Sequence, residues 1–593
     1  MKSPSLIHDR ETEDTMTSDA IDRRQRRVAA AVLGGVILML LALSGRLVHI
    51  NTTLRPRLLS HAKRQYAGNA VLPARRGRIF DSRGRVLATS RRLWDVFIDP
   101  VRAENLEKSV HALAPRVNLS PEDIEDMIRR RPNSRFIVVA STVDDVTADA
   151  VRDLQDPAVG LSGKLVRHYP LGTSMCHVLG YVGSEGHGLD GIELNLNKHL
   201  AGRDGRRATI RDARRRALWR SEDASTPPVD GGHLVLTIDA EIQRITETAL
   251  DQAVRSFEAK SGLAVVMTPK TGDVLAMATI PYFDPNVAGE SSADARRNRV
   301  LTDPIEPGST IKPFIASGAL AGGFVTTTEQ IDCHMGRHYF GRRLIKDVTP
   351  QGLTDLRGII VKSSNIGMTQ IGMRMGKDVL YETIRGFGFG ARTGIECPGE
   401  NAGSIRPASA WSEMTTQSVS FGYEIGVTPF QLITAYAALI NDGTLLKPRL
   451  VRGLLGSGGD VLEWHEGPEA VRRSTPVDVA RYIRDELLVA VVNEGRSASV
   501  MPARYRVLGK TGTSKLTLPG HRGYVDGAYQ STFVGAAPAS DPQVLVLIMI
   551  RRPNMAIGYY GATVAAPAAG RIIAQSLAYL EVPPDRPMEI AGL

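Results

Sequence analysis

The sequence predicts a membrane-anchored α+β protein whose second half is an antiparallel sheet with helices on its faces. Three observations carry that prediction. An uncharged apolar run begins at Val28. Polar residues at 221–232, including Pro227-Pro228 and Gly231-Gly232, separate two regions of different pattern. Beyond them, strand patterns stand at the start and the end of the region with helical patterns between, an order that alternating βαβ units do not give.

From the N-terminus, residues 1–27 form a polar tail, and residues 1–22 of it lack periodicity and are expected to be disordered. Val28 to Gly45 is an uncharged stretch of 18 residues. As a helix it spans about 27 Å, and Leu47-Val48-His49-Ile50 extends it, giving a transmembrane segment at 28–50. Arg23, Arg24, Arg26 and Arg27 precede it, a basic flank that stays on the cytoplasmic side and puts the bulk of the chain outside. A cleaved signal peptide is the competing reading. Ala42-Leu43-Ser44 is a poor cleavage site and the apolar run is long for a signal core, so an uncleaved anchor is favoured.

Residues 51–220 then form a stem and a first extracytoplasmic domain. Asn51 to Ala70 reads as a helical stem. The Ser82-Arg83-Gly84 turn between apolar runs predicts a hairpin. Residues 100–160 read as mainly helical, with Ser120-Pro121 as a helix start. After the linker 221–232, the region 233–593 opens on a strand, Leu234–Ile238, followed by a helix capped by Asp239. Gly262–Met267 and Asp273–Thr279 flank the turn Pro269-Lys270-Thr271-Gly272 and read as paired strands. Gln530–Ala536 and Gln543–Ile550 are two more, and the last helix ends near Leu577.

Composition narrows the function. Hydrophobic residues make up 42% and charged residues 23% of the 593, which is ordinary for folded protein. The net charge of +10 suits nucleic acid, anionic membrane or an anionic polymer. No nucleic-acid motif accompanies it, and a general surface charge is the simpler reading. Arg211, Arg214, Arg215 and Arg216 are the best placed residues to meet anionic wall polymer or lipid headgroups, against the plainer reading of a solvated basic face. Three cysteines, Cys176, Cys333 and Cys397, are no disulfide framework, although one bridge is possible. Cys333-His334 with His338 faintly resembles a metal-ligand set, but no second cluster completes it.

The chemistry sits in three short peptides. Ser309-Thr310-Ile311-Lys312 opens an apolar helix, so Ser309 lies at a helix N-terminus with Lys312 three residues on, on the same face. A serine hydroxyl needs a base, and lysine serves only when neutral. Burial and a second cation, for which Lys510 is the candidate, both lower its pKa. Ser363-Ser364-Asn365 follows Ser309 by 54 positions. Ser363 can shuttle a proton and Asn365 can bind an amide. Lys510-Thr511-Gly512-Thr513 comes 147 positions after Ser363. There Gly512 admits close backbone approach, an extended peptide can pair with the strand edge, and Lys510 with the Thr513 hydroxyl can hold a carboxylate. Backbone N–H groups of Ser309 and Thr513 would form an oxyanion hole. Each peptide alone reads as a capped helix, a polar helix cap or a lysine at a strand end. Together they supply the parts for acyl transfer through a serine ester. Other catalytic signatures are missing: no Gly-x-Ser-x-Gly, no His-Glu-x-x-His and no phosphate-binding Gly-x-x-x-x-Gly-Lys. Gly386-Phe387-Gly388-Phe389-Gly390 lacks Rossmann spacing and reads as a loop.

These peptides resemble those of the class B penicillin-binding proteins. The resemblance extends to Arg75-Arg76-Gly77-Arg78-Ile79 with Asp81, to Arg167-His168-Tyr169-Pro170, and to Gly188-Leu189-Asp190-Gly191-Ile192-Glu193 with Gly202-Arg203-Asp204-Gly205, similar to the family's pedestal motifs. Arg297-Asn298-Arg299 with Glu306-Pro307-Gly308-Ser309, together with Phe387-Gly388-Phe389-Gly390, Pro398-Gly399-Glu400, Gly422-Tyr423 and Asn441-Asp442-Gly443, looks like the division-specific FtsI type. Ile305 and Glu424 depart from it, standing where an aromatic and a glycine are usual.

The resemblance implies an N-terminal pedestal domain and a penicillin-binding transpeptidase domain of β-lactamase-like fold. It implies a D,D-transpeptidase that crosslinks peptidoglycan stem peptides at the septum of a bacterial inner membrane. Ser309, Lys312, Ser363 and Lys510 would be catalytic, with Asn365, Thr511, Gly512 and Thr513 binding substrate, and no cofactor or metal. It further implies β-lactams as inhibitors and an FtsW-type glycosyltransferase and other divisome proteins as partners. An elongation-specific enzyme, a β-lactam-hydrolysing or β-lactam-sensing serine acyl-enzyme, and a membrane scaffold with a vestigial site are the alternatives.

Overall fold

A computed structural model describes residues 8–58, 67–211, 217–517, 520–521 and 523–586. The described chain divides into two compact units, one of residues up to 72 with 204–228 and one of 73–203 with 229–593.

In the first unit a helix runs from His8 to His49 and continues through a π-turn at Ile50–Leu54 to Leu58. Within Arg24–Leu58 an 18-residue window has mean hydropathy 2.4, and none of that window is buried against protein. Leu38, Met39 and Leu41 are exposed, as a lipid-facing surface requires. The helix fits a single-pass membrane anchor. Its start at His8 corrects the expectation of disorder for the preceding tail from that residue on. The expected helical stem is also shorter: residues 59–66 lie outside the described residues, and Ala67–Leu72 is a strand. That strand pairs antiparallel with Gly205–Arg211, which pairs with Ala217–Thr226. Residues 221–226, expected to belong to the linker, therefore complete a ribbon. Arg214, Arg215 and Arg216 fall outside the described residues.

The second unit begins with the expected hairpin. Ile79–Phe80 pairs with Val86–Ala88 around a turn in which Asp81 Oδ1 accepts from the N–H groups of Arg83 (2.9 Å) and Arg85 (2.8 Å). Gly84 takes the left-handed φ of +81° that closes it. The 100–160 region is mixed. It holds helices Leu106–Leu113, Pro121–Arg129 and Asp145–Arg152, the second capped by Ser120, but also a strand, Ile137–Val143. Ile137-Val138-Val139 is β-branched and pairs with the long strand Val86–Ile98, so packing across the sheet overrides the helical surroundings. His233–Leu236 pairs in parallel with Ile79–Phe80 and antiparallel with Val451–Leu455, which joins it to this sheet. Arg76 and Arg167 clamp the fully buried Glu193 at 2.5 and 2.6 Å. Removing both arginines would strand a buried charge, a loss of about 3–5 kcal/mol, whereas removing one leaves Glu193 a single partner.

The main sheet has five antiparallel strands in the order Val274–Ile280, Ser261–Met267, Val544–Arg551, Tyr524–Ala537, Leu508–Thr517. Side-chain alternation sorts the strands between two cores. Leu263, Val265, Met267, Leu545 and Leu547 join Phe314 and Tyr436 on one face. Ala264, Val266, Val546 and Ile548 join Leu250 and Ile572, from helices Ala240–Ser256 and Ala566–Tyr579, on the other. Asp239 caps the first of those helices by accepting from Glu241 N at 2.9 Å. The strand carrying Lys510 ends the row, so among the described residues one of its edges has no strand partner. It begins at Leu508, because the Tyr505 N–H is turned back onto Pro502 O and the Arg506 N–H goes to Asp585. The helix Asn365–Gly386 ends where the Gly-rich loop starts. Gly388 and Gly390 are in the left-handed region, and Phe387 and Phe389 pack edge-on against Phe314 at 4.9 and 5.2 Å between centroids.

Candidate active site

Ser309 lies in a 3₁₀ turn, Gly308–Ile311, that leads straight into the helix Lys312–Ala321. Three contacts fix the turn. Gly308 N donates to Gly422 O (3.0 Å), the Thr310 hydroxyl to Pro307 O (2.7 Å), and the buried Tyr436 hydroxyl to Thr310 O (2.7 Å). A side chain on Gly422 would lie 2.1 Å from Gly308 O, so only glycine allows that approach. Ser309 is half-buried, while Lys312 is fully buried.

The second peptide is shaped by backbone capping. Helix Leu356–Val361 ends with Ser363 in the left-handed region at φ +59°. Ser364 N donates to Ile359 O (2.9 Å) and Ser363 N to Ile360 O (3.3 Å), the paired bonds of a Schellman cap. Glycine is the usual residue there, and a serine costs about 1–2 kcal/mol. Its hydroxyl and carbonyl both meet Lys312. Lys312 Nζ lies 2.7 Å from Ser363 O, 3.2 Å from Ser363 Oγ and 2.8 Å from Asn365 Oδ1. These contacts run to the second peptide, where the sequence alone pointed Lys312 at Ser309. Ser364 caps the next helix, accepting from Gly367 N at 2.9 Å.

The third peptide closes the cluster. Lys510, 1% exposed, donates to Ser363 Oγ (3.2 Å) and Thr511 O (3.1 Å). Ser363 Oγ therefore stands between two buried amines. Burial, then the neighbouring Lys510 charge, push the Lys312 pKa well below the ordinary lysine range, with Asp347 pulling weakly the other way. Burial brings Lys510 down to about 8.

Two expectations need correction. Lys510 and Thr513 do not share a face of their strand, because side chains alternate with period two. Lys510 turns to the amine cluster. Thr513 Oγ1 instead accepts from Gly561 N at 3.0 Å, at the start of helix Gly561–Val564. The second correction concerns Gly512. A Cβ there would sit 2.8 Å from Thr310 Cγ2, so the body that approaches this glycine is the Ser309 turn itself.

With this geometry in place, comparison with known proteins is decisive. Residues 262–574 match the penicillin binding protein transpeptidase domain, and residues 71–236 the penicillin-binding protein dimerisation domain. The chain is a class B penicillin-binding protein. It is 34% identical over 550 residues to the probable peptidoglycan D,D-transpeptidase PbpC of Pseudomonas aeruginosa, covering 93% of this chain and 94% of that one. It is 30% identical over 573 residues to the peptidoglycan D,D-transpeptidase FtsI of Escherichia coli, covering 94% and 92%. Among solved structures, penicillin binding protein 3 of Mycobacterium tuberculosis complexed with aztreonam superposes with a TM-score of 0.67 at 27% identity, covering 87% of this chain and 99% of that one. This penicillin-binding protein is thus a peptidoglycan D,D-transpeptidase.

Sequence reasoning missed the residue that holds the second peptide of this penicillin-binding protein in place. Asp347 accepts from Ser364 Oγ, from Asn365 N (2.5 Å) and from Ile366 N (3.1 Å), a carboxylate at the N-terminus of the helix Asn365–Gly386. Only an aspartate just past the short strand Arg343–Lys346 marks it in the sequence. Cys333 lies beside it, with Ser364 Oγ at 3.4 Å, and all three cysteines are buried free thiols. His334 and His338 stack on each other with ring centroids 3.8 Å apart. Among the described residues no group of three or more His, Cys, Asp or Glu forms a metal-ligand cluster.

Proposed function

We propose that this enzyme crosslinks stem peptides of peptidoglycan at the division septum through an acyl-enzyme on Ser309. The observation that carries the chemistry is the convergence of Lys312 Nζ and Lys510 Nζ on Ser363 Oγ, each at 3.2 Å.

Lys312, kept neutral by burial and by the Lys510 charge, takes the Ser309 proton. Ser309 Oγ attacks the carbonyl of the penultimate D-Ala. The oxyanion is held by the Ser309 and Thr513 N–H groups, with removal of one such donor costing about 3 kcal/mol. The proton passes through Ser363 to the nitrogen of the last D-Ala, the C–N bond breaks, and D-Ala leaves. An amine of a neighbouring stem then attacks the ester, gives up its proton along the same path, and frees Ser309. Asn365 binds a substrate amide, the hydroxyls of Thr511 and Thr513 receive the terminal carboxylate, and Gly512 lets the strand pack close on the Ser309 turn. A β-lactam acylates the same serine.

Four arginines before the anchor set the tail in the cytoplasm and the catalytic part outside. We assign anchor, pedestal and catalysis to residues 28–50, 51–220 and 233–593, and an FtsW-type glycosyltransferase and other divisome proteins as partners. The Glu306-Pro307-Gly308-Ser309 peptide and the likeness to FtsI support the septal role. A fluorescent fusion is expected to form a midcell band in dividing cells. Lateral patches without that band would overturn the septal role while leaving the chemistry intact.

A further inference from the structure

Glu306, three residues before Ser309, takes no part in the steps above, yet its carboxylate joins three segments of the cleft. Oε1 accepts from Glu424 N (2.8 Å) and from the Tyr524 hydroxyl (3.0 Å), and the Glu306 carbonyl accepts from Ser514 Oγ (3.2 Å). Tyr524 begins the strand that pairs with the Lys510 strand. Its ring stands perpendicular to Tyr423, centroids 5.6 Å apart, and Tyr423 meets Phe421 edge-on at 5.6 Å. On the other side, Ile305 and Val427 exchange backbone bonds of 2.8 and 2.9 Å, and Gly308 is tied to Gly422. The segment 422–427 thus runs as a ribbon along the Ser309 turn, and Glu306 is its polar clasp.

Glu424 is built to serve that clasp. It sits at φ +59°, where glycine is favoured. Its own carboxylate is held by Ser418 Oγ (2.7 Å), Thr415 Oγ1 (3.0 Å) and Arg406 (3.1 Å), which offsets the backbone strain and leaves its N–H pointing at Glu306.

We infer that Glu306 is a positioning residue for acylation: one carboxylate oxygen binds the Glu424 N–H and the Tyr524 hydroxyl and so locks the Tyr423–Glu424 loop and the Tyr524 strand against the Ser309 turn. This rests on Ser309 as the acylated residue. Burial raises the Glu306 pKa, against the opposing pull of the hydrogen bonds from the Glu424 N–H and the Tyr524 hydroxyl. The working feature is the acceptor oxygen, which glutamine retains.

The test uses full-length protein in detergent and a fluorescent penicillin, separating the limiting acylation rate from the binding constant. Glu306→Ala is expected to slow acylation at saturation about tenfold with binding changed less than threefold. Glu306→Gln should restore most of the rate, and Tyr524→Phe should show a smaller loss. The double variant Glu306→Ala/Tyr524→Phe should be no slower than Glu306→Ala, because both changes open one clasp. Acylation by Glu306→Ala within twofold of wild type would overturn the inference. So would additive losses, or a Glu306→Gln variant as slow as Glu306→Ala at an unchanged melting temperature. A wild-type protein that takes up no label would instead remove the Ser309 reading on which the clasp depends.

Discussion

Replacing Lys312 by alanine is expected to slow Ser309 acylation by about 10³-fold, within the range of roughly 10²–10⁴ for loss of a positioned base. Lys312 is fully buried, next to a second buried amine, and its pKa is driven well below the lysine range. A neutral amine fits its surroundings: two N–H groups suffice to donate to Ser363 O (2.7 Å) and Asn365 Oδ1 (2.8 Å), which leaves a lone pair to take a proton. Arginine cannot replace it, because a guanidinium stays charged. Stopped-flow acylation with a chromogenic cephalosporin measures the effect, and circular dichroism checks the fold. A loss smaller than tenfold in a folded Lys312→Ala protein would mean that another group takes the Ser309 proton.

The second large effect lies in the pH profile. Lys312 must be neutral to act, so acylation falls as pH drops through its lowered pKa. Lys510 is charged below about 8 and loses its proton above it. Its cation holds the Lys312 pKa down and orients Ser363, so the rate falls again on the alkaline side of about 8. The profile is a bell whose limbs belong to the coupled pair. Lys510→Ala is expected to slow acylation by about 10²-fold, abolish the alkaline limb and shift the acid limb upward, because Lys312 then loses a neighbouring positive charge. An acid limb that stays in place or moves down in this variant would show that burial alone tunes Lys312.

Much of the site is legible in the sequence because its parts are local. Ser309 and Lys312 stand three apart at the start of one helical segment, Asp239 caps its helix as a side chain of that type should, and the apolar runs on either side of the Pro269–Gly272 turn pair as strands. What escaped prediction depends on contacts between distant segments. Nothing near Ser363 announces a left-handed cap, since serine is a poor candidate for one and tertiary contacts hold it there, Lys312 on Ser363 itself and Asp347 on the next residues, Ser364 and Asn365. The role of Gly512 was assigned to the wrong neighbour because a glycine states that something comes close without naming what. In this fold the neighbour is Thr310, about two hundred positions away. The strand Ile137–Val143 was lost among helices for the same reason: its stability comes from pairing with Val86–Ile98.

Mass spectrometry of the intact protein after exposure to labelled penicillin, followed by peptide mapping, tests the central claim most directly. One penicilloyl group per chain is expected, carried by the peptide containing Ser309 and absent from a folded Ser309→Ala variant. An unchanged intact mass, or an adduct on any other residue, would contradict the assignment of Ser309 as the nucleophile.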